Sequence, residues 1–465
     1  MNAPVDAAAV VPALVDALGA DAVLTDEAIG PDYGVDESLN ATAVRPALVV
    51  LPSSTAEVAA AVTIASERGI PITARGAGTG LSGACIPLPH GMVVSFERMN
   101  ALMEIDASSH VAVVQPGLTL AELDVQTAKH GLVYPVFPGT AAASLGGNVA
   151  TNAGGMRAVK YGVTRHQILG IEAVTGSGDV IRCGGRFVKN TTGYDLTQLI
   201  IGSEGTLALV TEATLRLHPR LNHVASLLAP FATIDAVADV IPKVVGSGAQ
   251  PMILEYIDRS TMKGLLRHND IALGVPDDIV AVTEAFLVVV LEGRDESRLQ
   301  DDVAQVARQL AGAGAHDVYV LPDGQGAALL AARESAFWMV KAAGADDLID
   351  MVVPRNRIPE YLRLVRQIAD ERNAKVFGCG HAGDGNIHFS VYERDDERRS
   401  TLLMAIFEAG MSLGGAISGE HGIGRSKSGY YQALEDPAKL VLQRRIKAAF
   451  DPSGILNPGC IFDPA

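Results

Sequence analysis

Glycine-rich loops constrain the fold of this chain more than any other feature of its sequence. The 465 residues include 48 glycines, about a tenth of the chain against a usual ~7%, and many lie in short loops of the first 210 residues. Glycine has no side chain, so the backbone can approach another group closely there. The first loop, residues 75–83 (RGAGTGLSG), follows Ile70–Ala74, a predicted strand. The loop can therefore present backbone amides that hold anionic oxygens.

This first loop does not fit a nicotinamide-binding Rossmann fold. Gly78, Gly80 and Gly83 match the GxGxxG spacing, but that motif works because a helix begins there and its N-terminus binds pyrophosphate. Pro87 and Pro89 follow instead and exclude such a helix. Taken alone, the loop fits a tight turn without a ligand equally well.

Three further loops combine glycines with small hydroxyl or amide side chains. They lie at residues 138–155, 189–195 and 202–206. Their side chains can donate hydrogen bonds, and the glycines leave space for a ligand. Four such loops in one domain fit a long polar ligand that lies across them, whereas packing alone explains them poorly.

The character of the sequence changes near His218–Asn222. Before this point, short β-branched runs alternate with helical stretches, such as the helix predicted from the Ser54–Glu57 capping box to Gly69. After it, amphipathic helices alternate with strands, which predicts an α+β domain with helices on one face of an antiparallel sheet. Glycines return after about residue 411. We therefore expect three parts, at residues 1–220, 221–410 and 411–465.

Charge and composition exclude several classes of function. The chain has 37 Lys and Arg against 53 Asp and Glu, a net charge of −16, which disfavours nucleic-acid binding. No apolar run reaches the ~18 residues of a membrane span. Asp6 and Asp16, with no basic run before the apolar residues, argue against a signal peptide. The four cysteines are far apart, which is typical of reduced thiols in a cytoplasmic protein.

A second glycine-rich motif, residues 378–390, predicts a β-hairpin that carries two histidines. If Asp384-Gly385 forms a two-residue turn, His381 lies directly opposite His388. Directly opposed residues have Cβ atoms about 4.5–5.5 Å apart on one face. Two imidazoles in this position can share one metal ion.

The loop at residues 418–424 offers the third metal ligand. Glu420 and His421 are adjacent, and because neighbouring side chains usually diverge, we expect Glu420 to complete the site while His421 faces elsewhere. Two histidines and one carboxylate suit Zn²⁺, with Mn²⁺ or Fe²⁺ as alternatives. An isolated histidine is more often a hydrogen-bonded structural residue, but here three of 11 histidines fall in two glycine-rich motifs.

A predicted helix carries two basic residues and an aromatic residue on one face. Arg333, Phe337 and Lys341 are spaced i, i+4 and i+8. Arginine can bind a carboxylate through two parallel hydrogen bonds. Spacing alone, however, favours a solvated charged face with Phe337 packed beneath it.

In combination, these motifs resemble the vanillyl-alcohol oxidase superfamily, in the branch with D-lactate dehydrogenase, D-2-hydroxyglutarate dehydrogenase and the glycolate oxidase catalytic subunit. The resemblance covers nearly the whole chain and implies a two-lobed FAD-binding domain with an antiparallel-sheet-plus-helices cap. No histidine falls in residues 75–83, so the FAD is expected to be non-covalent. The FAD-binding residues implied are Arg75, Gly76, Ala77, Gly78, Thr79, Gly80, Ser82, Gly83, Pro138, Gly139, Thr140, Ser144, Gly146, Gly147, Asn148, Thr151, Asn152, Gly154, Gly155, Gly202, Glu204 and Gly205.

The resemblance also assigns roles in the second motif. It implies His381, His388 and Glu420 as metal ligands, His421 as the catalytic base, and Arg333 as the residue that binds the substrate carboxylate. Lys341 is a weaker substrate-binding candidate, and Asn457, in the closing N-P-G motif, is expected near the flavin ring or substrate. The expected reaction is oxidation of a D-2-hydroxy acid by hydride transfer to the flavin.

One departure from the resembled family concerns the substrate. In relatives that act on 2-hydroxyglutarate, a lysine lies two residues before the Asp of a D-x-x-V-P motif, and it serves the second carboxylate. Here Leu348 precedes Asp350, which favours a monocarboxylate such as D-lactate, glycolate or a longer apolar 2-hydroxy acid.

Several alternative functions and partners are also consistent with the sequence. A D-2-hydroxyglutarate dehydrogenase and a non-catalytic flavin subunit remain alternatives, and a metallohydrolase would leave the glycine-rich loops unexplained. The electron acceptor stays open between oxygen, a quinone, a cytochrome, an electron-transfer flavoprotein and a partner subunit. We expect a homodimer in the cytoplasm, with any membrane contact made through the electron-accepting partner.

Overall fold

The protein, a computed structural model that describes residues 7–463, combines helices and sheets in two regions. Asp6, which entered the argument about the N-terminus, lies outside the described residues. The strands of the first region are β1 Val23–Thr25, β2 Leu48–Val50, β3 Ile72–Arg75, β4 Met92–Ser95, β5 Leu102–Asp106, β6 Val111–Val114, β7 Leu132–Val133, β8 Ile168–Thr175, β9 Val180–Gly184, β10 Ala208–Arg216 and β11 His218–Pro219. Its helices are α1 Val11–Leu18, α2 Thr55–Arg68, α3 Leu120–Ala128, α4 Leu145–Thr151, α5 Ala158–Tyr161 and α6 Leu196–Ile200.

The later part of the chain is built around longer strands. They are β12 His223–Phe231, β13 Ile253–Asp258, β14 Ala285–Gly293, β15 Tyr319–Leu321, β16 Asp347–Val352, β17 Lys375–His381 and β18 Asn386–Tyr392. The helices are α7 Ile234–Val245, α8 Arg259–Asn269, α9 Asp277–Val282, α10 Glu296–Gly312, α11 Asp323–Glu334, α12 Ala336–Ala342, α13 Ile358–Glu371, α14 Asp396–Ser412, α15 Ser428–Leu434 and α16 Pro437–Phe450. Among the described residues, no helix has the length and apolar character needed to cross a membrane.

The first region has two larger sheets, beside the two-stranded antiparallel pair of β7 and β11. One has the order β1-β2-β4-β3, with β2, β4 and β3 parallel, and the other is antiparallel with the order β5-β6-β10-β8-β9. The predicted α2 is confirmed: the Ser54 hydroxyl accepts a hydrogen bond from the Glu57 amide, and Gly69 ends the helix with a φ of 65°. The glycine-rich loop 75–83 follows β3, and because β3 is the last strand of its sheet, the loop lies at the edge of that sheet.

A seven-stranded antiparallel sheet forms the cap, with the order β15-β12-β14-β13-β17-β18-β16. The antiparallel sheet agrees with the expected α+β class, but the expectation of helices on one face is wrong. Helices α7, α10, α13 and α14 pack on one face, and α8, α11 and α12 contribute to the core on the other. The physical reason is that strands such as β14 are buried on both faces, so both need apolar cover.

The C-terminal tail returns to the first sheet. The Ile72 amide donates to the Ile455 carbonyl and the Asn457 amide donates to the Ile72 carbonyl, each at 2.7 Å. Asp451, which is 2% exposed, accepts hydrogen bonds from the Ile455 and Leu456 amides and pairs with Lys447. This buried carboxylate therefore fixes the turn that brings the tail to β3.

We predict that Asp451→Ala destabilises the protein by about 3 kcal/mol, because it leaves two buried amides without their acceptor and the Lys447 ammonium without its anionic partner. Lys439→Ala is the matched control, since Lys439 forms an exposed pair with Glu435 near the start of the same helix and should cost below ~1 kcal/mol. Denaturant unfolding followed by far-UV circular dichroism measures both. Equal losses for the two variants would contradict the role of Asp451.

Candidate functional site

A cleft lies where the glycine-rich loops of the first region meet. Its walls come from the loop after β3, from residues 138–151 and from residues 203–205. Of the expected FAD-binding residues, those that line this cleft are Gly76, Ala77, Gly78, Thr79, Gly80, Pro138, Thr140, Ser144, Gly146, Gly147, Asn148, Thr151, Glu204 and Gly205.

The other expected FAD-binding residues occupy different places. Arg75 donates to the Val35 carbonyl from behind the loop, and Ser82 Oγ lies 3.1 and 3.0 Å from the carbonyl oxygens of His421 and Gly422. Gly139 and Gly155 line a second cavity described below. The remaining four lie outside the lining of both cavities, namely Gly83, Asn152, Gly154 and Gly202. None of these eight residues lines the cleft.

The walls of the cleft fit a long polar cofactor. Asn148 is 3% exposed, and its Nδ2 has no hydrogen-bond partner among the described residues. A side chain at Gly76 would displace the Ser144 hydroxyl, because a Cβ there would lie 2.2 Å from Ser144 Oγ. An unpartnered buried donor between closely packed loops of this kind fits FAD, whose oxygens can accept hydrogen bonds.

The loop at residues 189–195 does not join this cleft, so the expectation of four converging loops is wrong for one of them. Tyr194 is 96% exposed. The loop connects β9, an edge strand of the second sheet, to α6. It therefore lies at the outside of the region, where residues 182–198 line a separate surface depression.

A second cavity adjoins the cleft. Its walls come from the cap sheet, from the end of α11, from α12 and from the loop at residues 137–140. Thr79, Pro138, Thr140, Glu420 and His421 line both spaces. A molecule in the second cavity would therefore lie directly against the end of a cofactor in the cleft.

The two hairpin histidines meet in the second cavity, although the predicted register is wrong. His381 pairs with Asn386, and His388 pairs with Cys379, because residues 382–385 form a four-residue connection and the turn is not confined to Asp384-Gly385. The register shifts by two residues, and a shift of two keeps every side chain on the same face. The rings consequently still meet, with centroids 5.0 Å apart.

Glu420 lies between the two histidines. Its Oε1 is 3.2 Å from His381 Nε2 and 3.3 Å from His388 Nε2. Burial disfavours the charged carboxylate, but the histidines outweigh it and hold the pKa of Glu420 well below its usual range. These three groups converge in the manner of metal ligands.

Glu255 on β13 is a residue that sequence reasoning missed. It is fully buried, and its Oε1 lies 2.5 Å from His381 Nδ1. Its Oε2 lies 2.8 Å from Arg333 Nε. A carboxylate behind an imidazole places the proton on Nδ1 and leaves Nε2 free for a metal. A lone glutamate in the apolar run ILEYI was the available signal.

We expected His421 to face away from the metal ligands, and this expectation is wrong. Its side chain enters the same cavity. Its ring stacks on that of His388, with centroids 5.0 Å apart and planes at 18°. Burial lowers the pKa of His421 to about 4. The ring is therefore neutral near pH 7 and able to accept a proton.

Asp350 on β16 holds the loop that carries Glu420 and His421. The Asp350 Oδ2 atom accepts hydrogen bonds from the Ser418 hydroxyl at 2.7 Å and from the amides of Gly419, Glu420 and His421 at 3.1, 3.0 and 2.8 Å. Lys427 Nζ lies 4.0 Å away. Burial opposes ionisation of Asp350, but His421 and Lys427 outweigh it and lower its pKa. Sequence reasoning used Asp350 only as a motif marker and missed this role.

Arg333 and Lys341 do not share one helix face, because the predicted helix is interrupted at Ser335. Arg333 is 8% exposed, lines the second cavity, and its Nη2 has no hydrogen-bond partner among the described residues. Lys341 lies at the rim, where its Nζ is 2.6 Å from Glu37. Beside it stands Trp338, which is 47% exposed at the cavity wall.

Asn457 lies in the cleft and not in the second cavity. Its side-chain Nδ2 donates to the carbonyls of Ala84 and Glu204, at 3.0 and 2.8 Å. The side chain therefore joins two loops at the wall of the cleft.

Comparison with known proteins agrees with this geometry. A family model described as FAD linked oxidases, C-terminal domain, matches residues 220–461, and one described as FAD binding domain matches residues 46–184. An uncharacterized FAD-linked oxidoreductase of Mycobacterium tuberculosis is 53% identical over 440 residues, 95% of this chain and 96% of the relative. A D-lactate dehydrogenase of Archaeoglobus fulgidus is 38% identical over 92% of this chain and 94% of its own length.

The fold itself has solved counterparts. The structure of p-cresol methylhydroxylase with substrate bound aligns with a TM-score of 0.81 and 16% identity, covering 98% of this chain and 97% of that one. At that identity the likeness concerns the fold alone. The domain matches and the full-length relatives carry the assignment: the chain belongs to the family of FAD-linked oxidases.

Proposed function

We propose that the protein oxidises a D-2-hydroxy acid to the 2-oxo acid, with FAD and a divalent metal ion. The observation that carries this proposal is one cavity that joins three convergent metal-type ligands, a neutral imidazole and an unpaired guanidinium nitrogen, and that opens onto the cofactor cleft. The relative named D-lactate dehydrogenase supports the same class of substrate.

The donor set fits a metal ion. His381, His388 and Glu420 offer two nitrogens and one oxygen, and Glu255 holds His381 in the required tautomer. The proposed ion is Zn²⁺, with Mn²⁺ or Fe²⁺ as alternatives. When bound, the metal would supply Lewis acidity toward the substrate hydroxyl, and the flavin would supply the acceptor for the Cα hydride.

The chain's own residues position the substrate and move its proton. Arg333 Nη2 is available to the substrate carboxylate, and the guanidinium forms an ion pair with Glu255 on its other side. His421, neutral and stacked on His388, would take the hydroxyl proton at Nε2. Asp350 keeps the backbone of the Glu420–His421 loop in place, so the base and the metal ligand are set together.

The finer points of the proposal follow the same residues. We propose a monocarboxylate substrate, because Leu348 lines the cavity at the position where relatives that act on 2-hydroxyglutarate place a lysine. We also propose that the protein is a homodimer in the cytoplasm and that it passes its electrons to one of the acceptors named above. A metallohydrolase would not need the cofactor cleft, and a non-catalytic subunit would not need the intact histidine cluster.

An anaerobic visible spectrum tests the proposed function directly. We expect the flavin absorbance of the purified protein to bleach when D-2-hydroxy acids are added singly and to stay unchanged with the L-acids. Bleaching by neither series would contradict the proposed reaction. Absence of flavin absorbance, even after reconstitution with FAD, would contradict the cofactor as well.

We predict that His421→Ala retains FAD but slows flavin reduction by roughly 10²–10⁴, the usual contribution of a positioned base. His90→Ala is the control, because His90 is an exposed histidine of the first region. Stopped-flow reduction under anaerobic conditions gives the rates. An unchanged rate in His421→Ala would remove this residue from the reaction.

We predict that Glu255→Gln weakens metal binding by about 10–100-fold, since the amide no longer supplies the charge behind His381. Elemental analysis and metal titration of the apo-protein measure the affinity, and Glu57→Gln, on α2 of the first region, is the control. Chelator treatment should abolish activity without releasing flavin. Full activity of protein shown by elemental analysis to be metal-free would exclude the metal.

A further inference from the structure

The sheet register arranges the floor of the second cavity in rows. Residues that pair across neighbouring strands point to one face of the sheet. Cys379, His388 and Asp350 form one such row across β17, β18 and β16, and it contains a proposed metal ligand. The next row on the same face lies two residues along each strand and consists of Phe377, Ser390 and Leu348. Two residues of strand span about 6.6 Å.

This second row, Phe377–Ser390–Leu348, has an apolar surface. All three residues line the cavity. The Ser390 hydroxyl donates to the Phe377 carbonyl at 3.3 Å, so its polar group is engaged by the backbone. Phe337 and Val340, from the short helix α12, line the same cavity. A group that extends from the metal ligands along the strands therefore reaches an aliphatic and aromatic surface.

The charges of the cavity disfavour a second carboxylate on the substrate. Among the described lining residues, Arg333 is the only lysine or arginine, and the proposed function assigns it to the carboxylate next to the reacting carbon. The other charged lining groups, histidines apart, are Glu37, Glu334 and Glu420. Lys341, at the rim, is paired with Glu37. A distal carboxylate would meet apolar groups and like charge.

We infer that the row Phe377–Ser390–Leu348 is the specificity-determining surface, and that the substrate is a D-2-hydroxy acid with an apolar side chain of about four carbons or more, or an aryl ring. This inference rests on the proposed function. A side chain of this length extends toward the second row, which lies ~6.6 Å along the strands from the first, whereas glycolate and lactate leave the second row uncovered.

The expected preference is large enough to measure. Burial of one methylene is worth ~0.8 kcal/mol, which corresponds to about fourfold in kcat/KM. D-2-Hydroxyisocaproate has three side-chain carbons more than D-lactate, so its kcat/KM should exceed that of D-lactate by about 50-fold. Phenyllactate should behave like hydroxyisocaproate, and D-2-hydroxyglutarate should be slower than either.

The experiment measures anaerobic flavin reduction by wild-type holoenzyme across glycolate, D-lactate, D-2-hydroxyisocaproate, D-phenyllactate and D-2-hydroxyglutarate. Leu348→Lys places a cation in the second row, and it should lower kcat/KM for hydroxyisocaproate at least tenfold while raising it for hydroxyglutarate. Val320→Lys is the matched control, because Val320 is exposed on β15 at the opposite edge of the same sheet; its substrate ranking should follow the wild type.

The possible outcomes distinguish a failure of this inference from a failure of the proposed hydroxy-acid oxidation. A rise in kcat/KM with apolar side-chain length supports it. Equal rates for lactate and hydroxyisocaproate, or faster reduction by hydroxyglutarate, would overturn the inference while leaving hydroxy-acid oxidation intact. If no acid in the series bleaches the flavin, the proposed function fails and the inference fails with it. The wild-type series decides the question even if Leu348→Lys does not fold.

Discussion

One buried carboxylate joins the cap sheet to the loop that completes the site. Asp350 lies on β16, while Ser418–His421 belongs to the chain's C-terminal segment, and four hydrogen bonds to one carboxylate oxygen connect them. The other oxygen accepts from Asn386 Nδ2 at 2.7 Å, which ties the hairpin to the same point. Hydrogen bonds to an ionised acceptor are stronger than neutral ones. The relative placement of the histidines, Glu420 and His421 therefore depends on this single group.

The same cluster has an electrostatic consequence. Two fully buried carboxylates, Glu255 and Asp350, and the largely buried Glu420 surround the imidazoles, and Arg333 and Lys427 provide two positive charges. Burial disfavours a charged His381, but Glu255 and Glu420 outweigh it and raise the pKa of His381 well above its usual value. A protonated His381 therefore supplies the third positive charge of the cluster. A divalent cation held by His381, His388 and Glu420 would replace that proton, because metal ligands must be deprotonated.

Sequence reasoning succeeded where the information is local or survives a change of register. The loops at residues 75–83 and 138–151 reach the cleft because glycine spacing is a local property. His381 and His388 share a face because a shift of two residues preserves it. Glu255 and Asp350 were missed because their roles depend on strand order β13-β17-β18-β16, which brings together residues up to 126 positions apart. The break at Ser335, which sends Lys341 to the rim, also has no local signal.

The position of Trp338 has a consequence for how the molecule can be observed. It is the single tryptophan of the chain, and it stands at the wall of the second cavity beside Phe337 and Lys341. All tryptophan fluorescence of this protein therefore originates at the mouth of the cavity, and none comes from a buried core far from it. The molecule carries its own optical reporter of what enters that space, with no label required.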